Sequence, residues 1–177
     1  MANADSNTLA RPEITPHDPA FAGDIATLLE KPQGAAMDLF QVLDVCEQYA
    51  EHLLENQNQT ERMALCGRLL AGLEVLKSAL KAPLPEHLIE KLTLKESEAR
   101  ICYNPLATDS EPLREYCTAL TIILLNQQES QEQRQQMIGL LYELITVLAE
   151  DLKAPRFVRA LDGGLEMIPG GVLNLVH

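Results

Sequence analysis

Residues 60–83 read TERMALCGRLLAGLEVLKSALKAP and residues 132–155 read EQRQQMIGLLYELITVLAEDLKAP. Laid over one another at an offset of 72, the two stretches share Arg62/Arg134, Gly67/Gly139, Leu69/Leu141, Val75/Val147, Leu76/Leu148 and Leu80/Leu152. They also end on the same tetrapeptide, Leu-Lys-Ala-Pro, at 80–83 and 152–155. Nine of the 24 positions are then identical, where ordinary residue usage gives roughly two or three by chance. In each stretch leucines and their like recur at intervals of three and four, the signature of an amphipathic helix.

The segments just upstream align as well, at an offset of 71, through Cys46/Cys117, Leu53/Leu124, Leu54/Leu125 and Gln57/Gln128. Each repeat therefore reads as helix, turn, helix. The turns carry helix-start chemistry in Asn58/Glu61 and Ser130/Gln133, pairs that resemble capping boxes. Two copies are too few for a solenoid, so the expected architecture is all-α: two helical hairpins closing on each other as a bundle.

Shorter elements fill in the rest. Asp18-Pro19 opens a helix through Leu29, and Lys31-Pro32-Gln33-Gly34 ends it. Leu39 to Leu54 form one apolar face of a helix over about 36–56. After Pro83 and Pro85 come a short helix around Leu88 and, from a Thr93/Glu96 capping pair, another to about Tyr103. The leading and following helices of the second repeat are expected over about 111–126 and 131–153. A last short helix over about 155–161 is expected to stop at Gly163-Gly164. The division is a flexible lead-in over 1–17, a single helical domain over 18–164 with repeats at about 36–83 and 108–155, and an apolar docking tail over 165–177.

The composition agrees with helix packing. Aromatic residues are 4% with no Trp, so Leu, Ile, Val, Ala and Met must fill the core. A net charge of −12 disfavours direct contact with nucleic acid or an anionic membrane, which reward Lys and Arg. It favours a basic partner, or good solubility alone. The four cysteines (Cys46, Cys66, Cys102, Cys117) lack the density of a secreted disulfide scaffold. With no basic-then-apolar leader and no membrane-length apolar run, the expected location is the cytoplasm.

The two leading helices differ in their outer faces. The first carries Asp44, Glu47, Glu51 and Glu55, which fall within about 80° of arc opposite the apolar face at ~100° per residue. No Lys or Arg lies between Lys31 and Arg62. Such a face is most often simply solvated. As a docking ridge, these four are the candidate partner-binding residues. The second leading helix reads ALTIILL over 119–125, apolar on almost every side, and is expected at the centre of the bundle or at a subunit interface. The in-register Gly67 and Gly139 suggest close approach by a neighbouring helix.

No catalytic, cofactor or metal constellation is legible. No His follows a Glu at the Glu-x-x-His spacing of a di-iron bundle, since Ile14, Tyr49, Leu84 and Asn174 stand three places before the four histidines. Cys and His are scattered rather than clustered as zinc requires, and no phosphate-cradling Gly-rich loop occurs. His52 beside Glu51 is the best acid–base pair, but adjacent helical residues diverge by about 100°. The leading expectation is a non-enzymatic cytosolic protein-binding module: an adaptor, a regulatory inhibitor, or an immunity- or chaperone-like partner of another, basic, protein. A homodimer is left open. The alternatives are an acidic mimic that occupies another protein's nucleic-acid-binding surface, and an enzyme whose site the sequence does not display.

Overall fold

A computed structural model describes residues 23–34, 36–95, 109–160 and 163–168. The chain is mostly helical. Six helices are described: α1 (Gly23–Glu30), α2 (Leu39–Glu55), α3 (Gln59–Ala79), α4 (Glu86–Lys91), α5 (Ser110–Asn126) and α6 (Gln131–Lys153). Three short strands accompany them, β1 (Thr93–Lys95), β2 (Phe157–Arg159) and β3 (Leu165–Met167).

Side-chain caps set where the long helices begin. The Asp38 carboxylate accepts the Gln41 N–H at 2.9 Å while the Gln41 side chain accepts the Asp38 N–H, a complete capping box that starts α2. Ser130 and Gln133 form the same box at the start of α6. At α3 the arrangement departs from expectation. Asn58 accepts from Thr60 and Glu61, but the Glu61 carboxylate turns to the Asn56 amide at 2.5 Å, and the Asn58 N–H goes to Asn56 Oδ1. The turn between α5 and α6 passes through Gln127, whose φ of 54° is left-handed.

Short turns make α2 and α3 neighbours, and likewise α5 and α6; α2 also lies along α6, and α3 along α5. The four long helices thus touch in a closed circuit. Their inner faces supply the core, with Leu65, Leu69, Leu73 and Leu76 of α3 wholly buried against Leu43, Leu53, Leu141, Ile145 and Leu148. Burial of each such side chain stabilises by about 1.5–3 kcal/mol. Tyr49 is fully buried, and its hydroxyl donates to the Leu28 carbonyl at 3.2 Å, tying α1 to α2.

The strands correct two helix expectations. Thr93 does not cap a helix: its hydroxyl donates back to the Ile89 carbonyl at 2.6 Å, and residues 93–95 are extended. Residues 157–159 are likewise a strand rather than a helix, pairing in parallel with β1 and antiparallel with β3. The chain leaves α6 through Pro155, and the Arg156 and Phe157 N–H groups both donate to the Leu92 carbonyl, which starts β-pairing where another helical turn was expected. Gly163, with φ of +85°, serves the turn from β2 to β3, not a helix stop. The expectations for residues 1–22, for residues 96–108 with Cys102, and for residues 169–177 of the tail lie outside the described residues. Of the tail's first residues, Leu165 and Met167 stand exposed on β3.

A buried ionic cluster joins the helices to the sheet. Arg156 donates to the Asp151 carbonyl at 2.7 Å and to its carboxylate at 3.0 Å, and Ser110 at the start of α5 donates to the same carboxylate at 2.9 Å. Both Arg156 and Asp151 are buried.

Candidate functional site

The acidic row on α2 is where the sequence placed it. Asp44, Glu51 and Glu55 are exposed and Glu47 is half-buried. The row is not uniformly free, however. Lys153, the last residue of α6, reaches Asp44 at 2.7 Å and Glu47 at 2.5 Å. Burial alone would lower the Lys153 pKa, but its bonds to the two carboxylates outweigh that and hold it above the ordinary lysine value. Glu51 and Glu55, nearer the far end of α2, have no such cation beside them among the described residues. Sequence reasoning missed Lys153 because its partner lies more than a hundred residues away; its place in the shared exit tetrapeptide was the available signal.

Lys153 also orients α6. It marks the flank that faces α2, whereas Asp151, bonded to Ser110, marks the flank that faces α5. At about 100° per residue, the exposed Glu143 and Glu150 fall on the outward crest between these flanks. Leu140, Leu144 and Val147 fall on the α5 side.

On α5 the buried Arg114 reaches Glu74 of α3 at 4.0 Å and marks the α3 flank. The opposite flank, toward α6, carries Tyr116, Leu120 and Ile123. The expectation that α5 lies at the centre is therefore corrected: it sits at the surface, with Tyr116 54% and Ile123 45% exposed beside Leu140 of α6 at 50%, and with Ile122, 45% exposed, on the Arg114 side of the helix. No charged residue occurs over 116–128 or over 135–142.

The result is two adjoining surfaces that meet along α6. One, over α2 and α6, is acidic. The other, over α5 and α6, is an uncharged apolar seam, and the Glu143–Glu150 row forms its border. The run 116–128 without a charge was the sequence signal for this seam, but periodicity alone does not separate an apolar surface from a core.

Other candidates resolve differently. His52 Nδ1 lies 2.9 Å from the Gln48 carbonyl of its own helix, which engages that ring nitrogen away from Glu51. A methyl group on Gly67 or Gly139 would meet nothing within 4 Å, so neither glycine accommodates a close helix approach within the chain. The close approach is at Gly72 instead, facing Cys46 Sγ. Cys46, Cys66 and Cys117 are free and buried, and burial pushes their thiols up to about 12, 11 and 12. Near the hairpin turns a cavity of about 20 Å³ is lined by Leu53, Cys66, Leu124, Ile138 and the two repeat-matched arginines, Arg62 and Arg134; that is room for one water. Among the described residues no group of three or more His, Cys, Asp or Glu is placed to hold a metal, and no helix is long and apolar enough to cross a membrane.

No protein-family model, curated protein or solved structure matches the chain.

Proposed function

We propose that this protein is a non-enzymatic protein-binding module, a duplicated helical hairpin closed into a four-helix bundle that presents one outer side to a partner protein. The duplication rests on the offset identities and on a reciprocal pattern at the exits. Lys153 of the second repeat pairs with α2 of the first, and Lys81 of the first lies 3.8 Å from Glu111 on α5 of the second. An adaptor, inhibitor or chaperone-like role in the cytoplasm fits such a module.

The observation that carries the reading is the exposed cluster of Tyr116, Ile123 and Leu140 beside an acidic face. At the offset of 71, Ile123 stands where α2 carries His52. The hairpin thus accommodates a polar residue at this place, and packing does not demand isoleucine there. Large exposed apolar patches on soluble proteins mark interaction sites.

The test is site-specific photo-cross-linking in extract of the source cells, with the photoreactive residue at 123 or 140, and at exposed Glu86 on α4 as control. A single protein adduct from 123 and 140 but not from 86 is expected. Identical adducts from all three positions, or none, would overturn the reading. An acidic nucleic-acid mimic is the alternative, and it predicts adducts from Glu51 and Glu55 rather than from the seam.

A further inference from the structure

We infer that the seam between α5 and α6 receives an amphipathic helix of a partner protein whose flank is basic, with the apolar face on the seam and cations on the Glu143–Glu150 row. The inference rests on the binding-module reading and specifies the chemistry of the partner.

The seam has the length for a helix. Counting about 1.5 Å per residue from the Ser110–Asp151 bond, Tyr116, Leu120 and Ile123 descend α5 from about 9 to 20 Å. Leu144 and Leu140 descend α6 over about 10 to 17 Å, at matching heights. Two rows of apolar side chains at matching heights on neighbouring helices are what a helix with anchors at i, i+3, i+4 and i+7 fits.

The charges bordering the seam choose among occupants. Glu143 and Glu150 are exposed, seven residues apart on one crest, and no Lys or Arg on α6 between Arg134 and Lys153 offsets them. Across the seam Glu115 is exposed, though it shares Arg114 at 3.5 Å. Beyond Glu143 the acidity continues onto Glu51 and Glu55 of α2. A second copy would bring its own acidic border against this one. Residues 169–177, PGGVLNLVH, are apolar enough to lie on the seam but contain no Lys or Arg. A basic flank with cations seven residues apart satisfies the border; neither of these occupants supplies one.

The test titrates the full chain, by fluorescence anisotropy, with two labelled synthetic helices of about 18 residues, or roughly five turns. Both carry the same leucine face; one has lysines at i and i+7 on its flank and the other glutamates. The lysine peptide is expected to bind at least tenfold more tightly, with the preference shrinking as salt rises. Glu143→Lys with Glu150→Lys is expected to abolish the preference. Leu140→Glu and, separately, Ile123→Glu are expected to weaken both peptides at least tenfold, with unchanged melting temperature showing that the fold survives.

Equal binding of the two peptides, no binding by either, or binding indifferent to both seam variants would overturn the inference. A concentration-dependent dimer dissolved by Leu140→Glu would assign the seam to a second copy instead. Deleting residues 169–177 and finding the lysine peptide bound at least tenfold more tightly would assign it to the chain's own tail. If neither peptide binds while residues 123 and 140 still cross-link one protein, the binding module stands and the basic helix alone fails.

Discussion

Gly72 is confined to a hydrogen by its neighbours: a methyl there would meet Cys46 Sγ at 2.8 Å and Gln33 Nε2 at 3.2 Å. Gly67 and Gly139, identical in the two repeats, have nothing within 4 Å. Mid-helix glycine costs about 1 kcal/mol relative to alanine. Gly67→Ala and Gly139→Ala are therefore expected to stabilise by about 0.5–1 kcal/mol each, whereas Gly72→Ala is expected to destabilise by about 1–3 kcal/mol through overpacking. Denaturant unfolding of the three variants measures this, and a stabilising Gly72→Ala would contradict the packing described. The sequence pointed to the wrong glycines because identity between two aligned stretches does not say which residue faces across the core, and close approach depends on that. Cys46 shows the same dependence on surroundings. With thiols raised to about 11–12, only on the order of one molecule in a thousand or fewer carries a given buried thiolate at pH 8, and the thiolate is the reactive form. Cys46, Cys66 and Cys117 are expected to resist a thiol reagent in the native protein and to react once denaturant is added. Fast native labelling of any of the three would count against their burial.

At the scale of elements, the long helices were legible because each repeats an apolar face over several turns and opens on a side-chain cap. The boundaries from sequence fall within a few residues of α2, α3, α5 and α6. The strands were not legible. Each is three residues long, too short for an alternating pattern, and each is extended because of a partner distant in sequence. Thr93 followed by Glu96 has the letters of a capping box, yet Leu92 immediately before it accepts two bonds from residues 156 and 157. The cap of α2 went the other way, unmarked in the sequence reading and complete in the structure. Burial raises the Asp38 carboxyl, but the Gln41 amide and His87, 3.0 Å away, outweigh it and hold the pKa below the ordinary carboxylate value. A lowered folded pKa adds stability above the unfolded value of about 4, and that stability is lost as pH falls through the folded value. Asp38→Ala is expected to cost about 1 kcal/mol at pH 7. The gap between the two proteins should narrow below about pH 4, as thermal melts at pH 7, 4 and 2.5 would show. A gap that widens on acidification would reverse the assigned sign.

For the whole molecule, the distribution of charge matters more than its total. The net charge is −12, and the spacing of Asp44, Glu47, Glu51 and Glu55 suggested an acidic ridge on α2. The fold instead neutralises one end of that ridge with Lys153 and carries the remaining acidity across to Glu143 and Glu150 on α6. Four residues read as one stripe thus divide between an internal tie and an exposed border, a division that depends on which helix lies beside α2 and that no local pattern encodes. The candidate site was half visible for the same reason: its acids and its apolar run were each readable, but their meeting along α6 was not. The parallel pairing of β1 with β2 has a consequence of another kind, for the order of folding. Each helical hairpin closes a turn of a few residues, so its parts find one another within a short stretch of chain. Thr93 and Phe157, by contrast, are register partners only after all of α5 and α6 have been threaded between them, and closing so long a loop carries an entropic cost that nearby contacts do not. The α2–α6 contact, tied by Lys153 to Glu47 across 106 residues, bears the same kind of cost, so the sheet belongs with the docking of the two hairpins and not with the formation of either, a latch that closes as the bundle does.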